Sequence, residues 1–452
     1  MPSRIELPVG ILTGQELNSF FESSLRYHIE SFFQLLAQFE PKKLYSDWRT
    51  IIRTIDELIN IPLELSDDAE SNFILQLSFG TITSVPATTS KNIHKILTDN
   101  FDEGVAVRFG QIAFISTVIN ETYRQAGVWN LLGHGQNMST TLDGIAFYQS
   151  RRAYYQAILT LIPQISKGEK QVSYIETLNE FQYALDTCLL GITTAYYNLL
   201  LNHCLEDFEV KADGKVAKGN FVYKYMEGFF LQPERLSLLD QMEFRPELVA
   251  PKEMLPIPRN QIFSFSEVAN AMALFESGYE KYGIAKVREF DELNSLFYDL
   301  AIFLRGDHNL EVDEESFNTL QRKYPSLTLS KPATDYFEAL NSFAPFQKSG
   351  HNYYSTVILL TKFVYRTLSA SLQKNKTFQI NSGFIFEDKI QSILKDHGYK
   401  PTGITRINHK EFDLIMTKEG KVYNFQCKNN FIDISRVDYN YKKTGRYNKY
   451  LV

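Results

Sequence analysis

Asp413, Gln426 and Lys428 fall on two short segments that alternate apolar with polar residues, and Glu387 lies on a helical stretch just before them. A carboxylate, a side-chain amide oxygen and a backbone carbonyl are the hard oxygen donors that Mg2+ takes alongside water. Asp413 is the anchoring carboxylate of such a set, and the Gln426 side-chain oxygen and the Cys427 backbone carbonyl could complete it. A lysine one residue beyond could orient an attacking water, lower its pKa or offset charge developing on a phosphorane-like transition state. Glu387 could bind the metal through water or support a second cation. The chemistry these types would serve is hydrolysis of a phosphodiester, with Mg2+ or Mn2+ as cofactor.

The elements that must position these groups are readable from Asn381 to Asn430. Phe386, Ile390, Ile393 and Leu394 recur at helical spacing, with Asn381 or Ser382 as the expected N-cap and Gly398 as the left-handed stop. Phe412–Thr417 and Lys421–Lys428 then alternate with period two. Phe412, Leu414 and Met416 share one face of the first run; Tyr423, Phe425 and Cys427 share one face of the second. A one-residue slip would turn one apolar face to solvent, so the register places Asp413 on the same side as Gln426 and Lys428. That register requires a two- or four-residue connection around Lys418-Glu419-Gly420, and it predicts one polar constellation on an otherwise buried hairpin.

Gly383-x-x-Phe386-Glu387, Gly398-Tyr399, Phe412-Asp413-Leu414 and Gln426-Cys427-Lys428 together resemble the methylated-DNA restriction endonuclease (Mrr) branch of the PD-(D/E)xK nuclease superfamily. The likeness covers the last eighty or so residues. It implies a mixed sheet flanked by helices, Mg2+-dependent DNA cleavage, and a glutamine in place of the acidic residue before the lysine. A restriction or anti-phage role follows as an expectation, and cutting both strands suggests a homodimer or other oligomer. The chain departs from the pattern at Ile407-Asn408-His409-Lys410-Glu411, where the family carries a glycine-rich turn. After Lys428 the sequence leaves room for a helix near Asp433–Tyr441 but not for a full closing strand, which another segment or a longer chain would supply. The alternative is an ordinary α/β hairpin domain with an exposed lysine.

Charge is distributed to match. The chain carries −6, but from Lys374 to Val452 fifteen Lys/Arg face eight Asp/Glu, a local +7 that leaves −13 on the rest. A basic module on an acidic body suits a polyanion met at one end, so DNA is the expected partner. Hydrophobic content of 44% with 34 Phe and 26 Tyr argues for packed cores and against disorder. Three cysteines, Cys188, Cys204 and Cys427, have no metal-ligand spacing and fit a reducing cytoplasm, and the first residues show no signal peptide. Thr187–Leu205 approaches a membrane span in length but contains Asn198, Asn202 and His203, so a buried central helix is expected and no membrane partner.

The fold class expected is a mainly α-helical body followed by a small α/β restriction-endonuclease-like domain. Residues 1–245 read as helical and of unknown role, 246–260 as a connector with four prolines, 261–373 as a second helical domain, and 374–452 as the nuclease-like domain. Helices are expected over Gln15–Phe39, Asp47–Ile59, Val105–Tyr123, Tyr148–Ile165, Ile175–Glu206, Ser264–Arg288, Glu289–Leu304 and Tyr353–Lys374. A strand or two is expected in Phe73–Thr89, a hairpin at Asp213-Gly214, and a loop with a short helix over Val312–Tyr336. His134 sits in a polar loop without partners for a site, and the acidic clusters Asp291-Glu292 and Asp313-Glu314-Glu315 read as solvated faces or helix N-termini. The helical body could recognise a DNA feature, oligomerise, or bind a protein activator that licenses cleavage.

Overall fold

A computed structural model describes residues 6–59, 87–109, 154–171, 182–221, 253–282, 284–327, 336–341, 344–427 and 441–442. Among these the chain is mainly helical, with several small sheets whose strands all pair antiparallel. Lys428, His134 and residues 73–86 of the segment expected to hold a strand or two lie outside the described residues, and the rest of that segment, 87–89, is the first turn of a helix rather than a strand.

Strand β1 (Val9–Thr13) leads into α1 (Gly14–Ala37), α2 (Pro41–Ile59) and α3 (Ala87–Asn100). Helical segments follow at 103–109 and 154–165, then α4 (Gln182–Cys204). The long uncharged stretch is thus the central helix expected: Leu185, Leu189, Ile192, Tyr196 and Leu199 are all buried. Gly191 lets α4 lie directly on α1, since a Cβ there would sit 2.3 Å from the His28 ring. No helix among the described residues is long and apolar enough to cross a membrane. Strands β2 (Glu209–Asp213) and β3 (Ala217–Gly219) form the hairpin expected at Asp213-Gly214, with Gly214 at φ +82°, and β2 also pairs with β1.

After an exposed stretch, 253–260, come α5 (Ser266–Tyr282), α6 (Arg288–Leu300), β4 (Leu304–Arg305), β5 (Asn309–Asp313), α7 (Glu314–Lys323), α8 (Tyr336–Asn341), β6 (Gln347–Ser349), β7 (Asn352–Thr356) and α9 (Val357–Gln373). The sheet β4-β5-β7-β6 was not visible in the pattern, which predicted a helix from Tyr353 and a loop from Val312. Its strands are two to five residues long, too short for period two to stand out. The helix starts instead at Val357, where the Thr356 hydroxyl accepts the Leu359 N–H. Both acidic clusters have structural partners. Asp313 caps α7 by accepting the Ser316 N–H, Glu314 pairs with Lys348, and Glu292 accepts the Ser326 N–H.

Among the described residues a small apolar core gathers Leu17, Phe21, Leu199, Phe208 and Val210, and two larger ones fill the body. One joins Phe32, Trp48, Ile52, Phe109, Tyr155, Ile158 and Leu189 with Phe263 and Tyr336; the other gathers Phe275, Leu296, Leu310, Phe317, Tyr353, Leu360 and Phe378. Polar groups stitch the seam. Arg53 reaches both Glu57 and Asp307, Asp307 accepts the Ile262 and Phe263 N–H groups, and the fully buried His308 ring meets Asp56 at 3.0 Å. Buried charges are tolerated when paired and hydrogen-bonded in this way.

The C-terminal module is α10 (Lys376–Asp396), β8 (Lys400–Pro401), β9 (Arg406–Ile407), β10 (Lys410–Glu411), β11 (Leu414–Lys418) and β12 (Lys421–Phe425). These strands form two separate ladders: β12-β11-β8, and the small exposed hairpin β10-β9. The described strands are antiparallel throughout, and the mixed sheet implied by the family resemblance is not among them. The Tyr441 hydroxyl, later in the chain than β12, donates to Glu22 on α1 at 2.6 Å.

Candidate metal and nuclease site

Helix α10 begins six residues earlier than the capping pattern predicts. Asn375, not Asn381 or Ser382, accepts the Phe378 N–H, and Phe378 is buried in the second core. Residues 381 and 382 are therefore interior to the helix. Gly398 ends it as expected, at φ +83°. Of the apolar stripe, Phe386, Ile390 and Leu394 are half-buried and Ile393 is exposed. Glu387 stands on this helix at the border of core and solvent.

The hairpin has the register that the two apolar faces demanded. Leu414 pairs with Phe425, Met416 with Tyr423 and Lys418 with Lys421, joined by the two-residue turn Glu419-Gly420. Both turn residues have positive φ, 53° and 75°, the mirror-image turn that matches strand twist. Tyr399 meets Tyr423 and Phe425 edge-on and closes that apolar face. The expectation of an otherwise buried hairpin needs correction. Leu414, Ile415 and Met416 are buried on β11, but β12 is an edge strand, with Val422 70% exposed and Lys421, Asn424 and Gln426 in solvent.

One pair beyond the ladder, Asp413 and Gln426 meet. Gln426 Nε2 donates to Asp413 Oδ2 at 2.9 Å, and the Cys427 backbone N–H donates to the same oxygen at 2.6 Å. Upstream, Phe412 N–H is held by the Thr405 carbonyl at 3.0 Å, so the start of β11 is pinned on both sides. Glu387 is close enough for its charge to be felt. Burial, then Asp413, then Asp388 push its carboxyl above the usual value, and burial, Asp413 and Glu387 push the Cys427 thiol up to about 11. Asp388 is a contributor that the residue pattern did not single out; only its place beside Glu387 could have flagged it.

Three of the four residues, Glu387, Asp413 and Gln426, are thus brought together, while the fourth, Lys428, lies outside the described residues. The donor set suits a hard divalent cation. The two carboxylates repel one another, and no lysine or arginine among the described residues pairs with either. Asp413 keeps Oδ1 outside the hydrogen bonds to Gln426 and Cys427. Gln426 would have to turn its amide over to offer oxygen, since without a cation the carboxylate takes its N–H2 group. Two carboxylates and a neutral oxygen donor would leave the rest of the coordination to water, as Mg2+ prefers.

The stretch that carries the site is rich in basic residues, of which Lys418 donates to the His397 carbonyl and lies over the Tyr399 ring. Nine lysines and arginines lie between Lys374 and Cys427, and none of them forms an ion pair among the described residues. Arg406, His409 and Lys410 stand on the exposed β9-β10 hairpin, turned at Asn408 and His409 with φ of 48° and 64°, immediately before Asp413. No protein-family model, curated protein or solved structure matches this chain.

Proposed function

We propose that the chain is a divalent-metal-dependent DNA endonuclease of prokaryotic restriction or anti-phage defence, whose C-terminal module carries the chemistry. The observation that carries this reading is the meeting of Asp413 with Gln426 across β11 and β12, within electrostatic reach of Glu387. Mg2+ or Mn2+, when bound, would supply Lewis acidity toward the phosphate and an acidified water. Asp413 would hold the cation, with Gln426 and the Cys427 carbonyl as neutral donors and Glu387 assisting through water. Lys428 would act on the attacking water or on transition-state charge. The unpaired cations from Lys374 to Lys421 would hold the phosphate backbone, an attraction that weakens steeply with salt. Cleavage of both strands would take two copies, and a protein activator could engage the helical body.

A second reading is favoured by one observation: both hydrogen bonds described for Asp413 are structural, tying the end of β12 to the start of β11. In that reading the module holds DNA or a partner without cutting, on a helical scaffold. Plasmid cleavage in the presence and absence of Mg2+, with Asp413→Asn beside the wild type, decides between the two.

A further inference from the structure

The sheet β4-β5-β7-β6 turns one face toward α2. Its register sets Gln347 opposite Tyr354 and Asn309 opposite Thr356, so these four side chains share that face. With Tyr45, Arg49 and Ile52 of α2 they line a small, narrow recess that opens to solvent. Among the described residues Arg49 is the only charged one in the lining. Its guanidinium lies 4.1 Å from the centre of the Tyr354 ring and has no ion pair or hydrogen bond among the described residues. One turn along the same helix, Arg53 is bonded to Glu57 and Asp307, and Arg108 also finds Glu57. On the same sheet face Glu311, opposite Tyr354, accepts from the Asn352 side chain at 2.6 Å. A half-buried arginine left without a carboxylate, in a body where acids outnumber bases, is the exception here.

The remaining polar groups are donors with little to do. Tyr45 is 4% exposed, and its hydroxyl reaches only Gln347 Oε1, at 3.4 Å, the outer limit of a hydrogen bond. The Thr356 hydroxyl accepts from Leu359 N–H and keeps its own proton to give. The recess also lies at the N-terminal, positive end of the seventeen-residue helix α9. That helix offers little of its backbone, because the Val357 N–H is taken by the His308 carbonyl and the Leu359 N–H by Thr356. The side chains would make the contacts.

We propose that this recess binds an oxyanion group, phosphate or carboxylate, of a small ligand, with Arg49 giving paired hydrogen bonds and Tyr45 and Thr356 giving one each. A guanidinium fork matches either anion, and Ile52, Leu159 and Leu359 would flank the apolar part of the ligand. The site does not depend on the nuclease reading. It joins α2 of the first core to the sheet of the second, at the root of the helix that leads through Lys374 and Asn375 into α10.

The test is calorimetric titration of the full chain with inorganic phosphate and, separately, with acetate, at constant ionic strength set by chloride. Saturable binding of at least one anion is expected, and whichever of the two binds more tightly tells phosphorylated from carboxylated ligands. Arg49→Gln should weaken it by about tenfold or more, since a charge-assisted pair is lost, and Arg49→Lys should fall between. No binding beyond the chloride control, or equal binding by Arg49→Gln, overturns the proposal. Should Arg49→Gln fold poorly without its stack on Tyr354, Tyr45→Phe keeps that stack and should weaken binding several-fold; unchanged binding by Tyr45→Phe also overturns it.

Discussion

Asp413→Asn separates the two tasks that this carboxylate would perform. Without a cation, Asp413 Oδ2 clasps β12 to β11 through Gln426 Nε2 at 2.9 Å and Cys427 N–H at 2.6 Å. A hydrogen bond to an ionised acceptor contributes roughly 1.5–3 kcal/mol, but Gln426 is exposed and asparagine still offers one oxygen to Cys427, so about 1 kcal/mol of stability should be lost. The effect on a cation should be larger. One unit charge about 4 Å from another is worth roughly 4 kcal/mol at an effective dielectric of 20, and a divalent ion doubles the product. Even after relaxation and replacement by water, Mg2+ affinity should fall by about 100-fold, which is roughly 2.7 kcal/mol. The pH dependence should follow Glu387. Its carboxyl titrates above the usual value of 4.5 in the folded chain, so the fold binds that proton more tightly than the unfolded chain does. The resulting stabilisation is present in acid and is lost as pH rises through the folded value. Mg2+ competes with the same proton and should bind more tightly across the same window, with proton release. Calorimetric titration with Mg2+ in two buffers, beside urea unfolding of each protein, measures all three quantities. Mg2+ affinity within about threefold of wild type would refute the reasoning, as would a stability loss near 3 kcal/mol, which would make Asp413 a clasp alone.

Two further outcomes are expected. The Cys427 thiol, held up to about 11 by burial, Asp413 and Glu387, should alkylate slowly near neutral pH and faster once Mg2+ is added or in Asp413→Asn; peptide mass mapping would show it, and labelling indifferent to both would contradict the charge assignment. Glu57 has a fully buried side chain bonded to Arg53 at 2.8 Å and Arg108 at 2.6 Å, so Glu57→Ala should cost about 3 kcal/mol in urea unfolding, and a loss under roughly 1 kcal/mol would mean that the seam does not depend on this network.

What was legible in the sequence was what a strict period or a single special residue dictates. Two alternating runs with one apolar face each admit a single register, and Asp413 came to lie against Gln426 for that reason. Gly398 and Asp213-Gly214 marked a helix end and a hairpin because few other residues adopt those backbone angles cheaply. The start of α10 was misplaced because three residues, Asn375, Asn381 and Ser382, are all good caps, and the choice fell to burial of Phe378, a tertiary effect. The sheet under α9 escaped because its strands are short and both faces are covered. Tyr353 packs on Phe317 in one core, while Tyr354 packs on Tyr45 beside the other, so no alternation survives. The charge partners of Glu387 and the unpaired state of Arg49 are facts of three-dimensional proximity that spacing does not encode.

The central claim is metal-dependent cleavage by the C-terminal module. Supercoiled plasmid and phage DNA incubated with Mg2+ or Mn2+ should be nicked or linearised by the wild type. Asp413→Asn and Lys428→Ala should both abolish cleavage, while fluorescence anisotropy shows that Lys428→Ala still binds DNA. Absence of metal-dependent cleavage by the wild type, cleavage that survives Asp413→Asn, or equal loss of cutting and binding in Lys428→Ala would contradict the account.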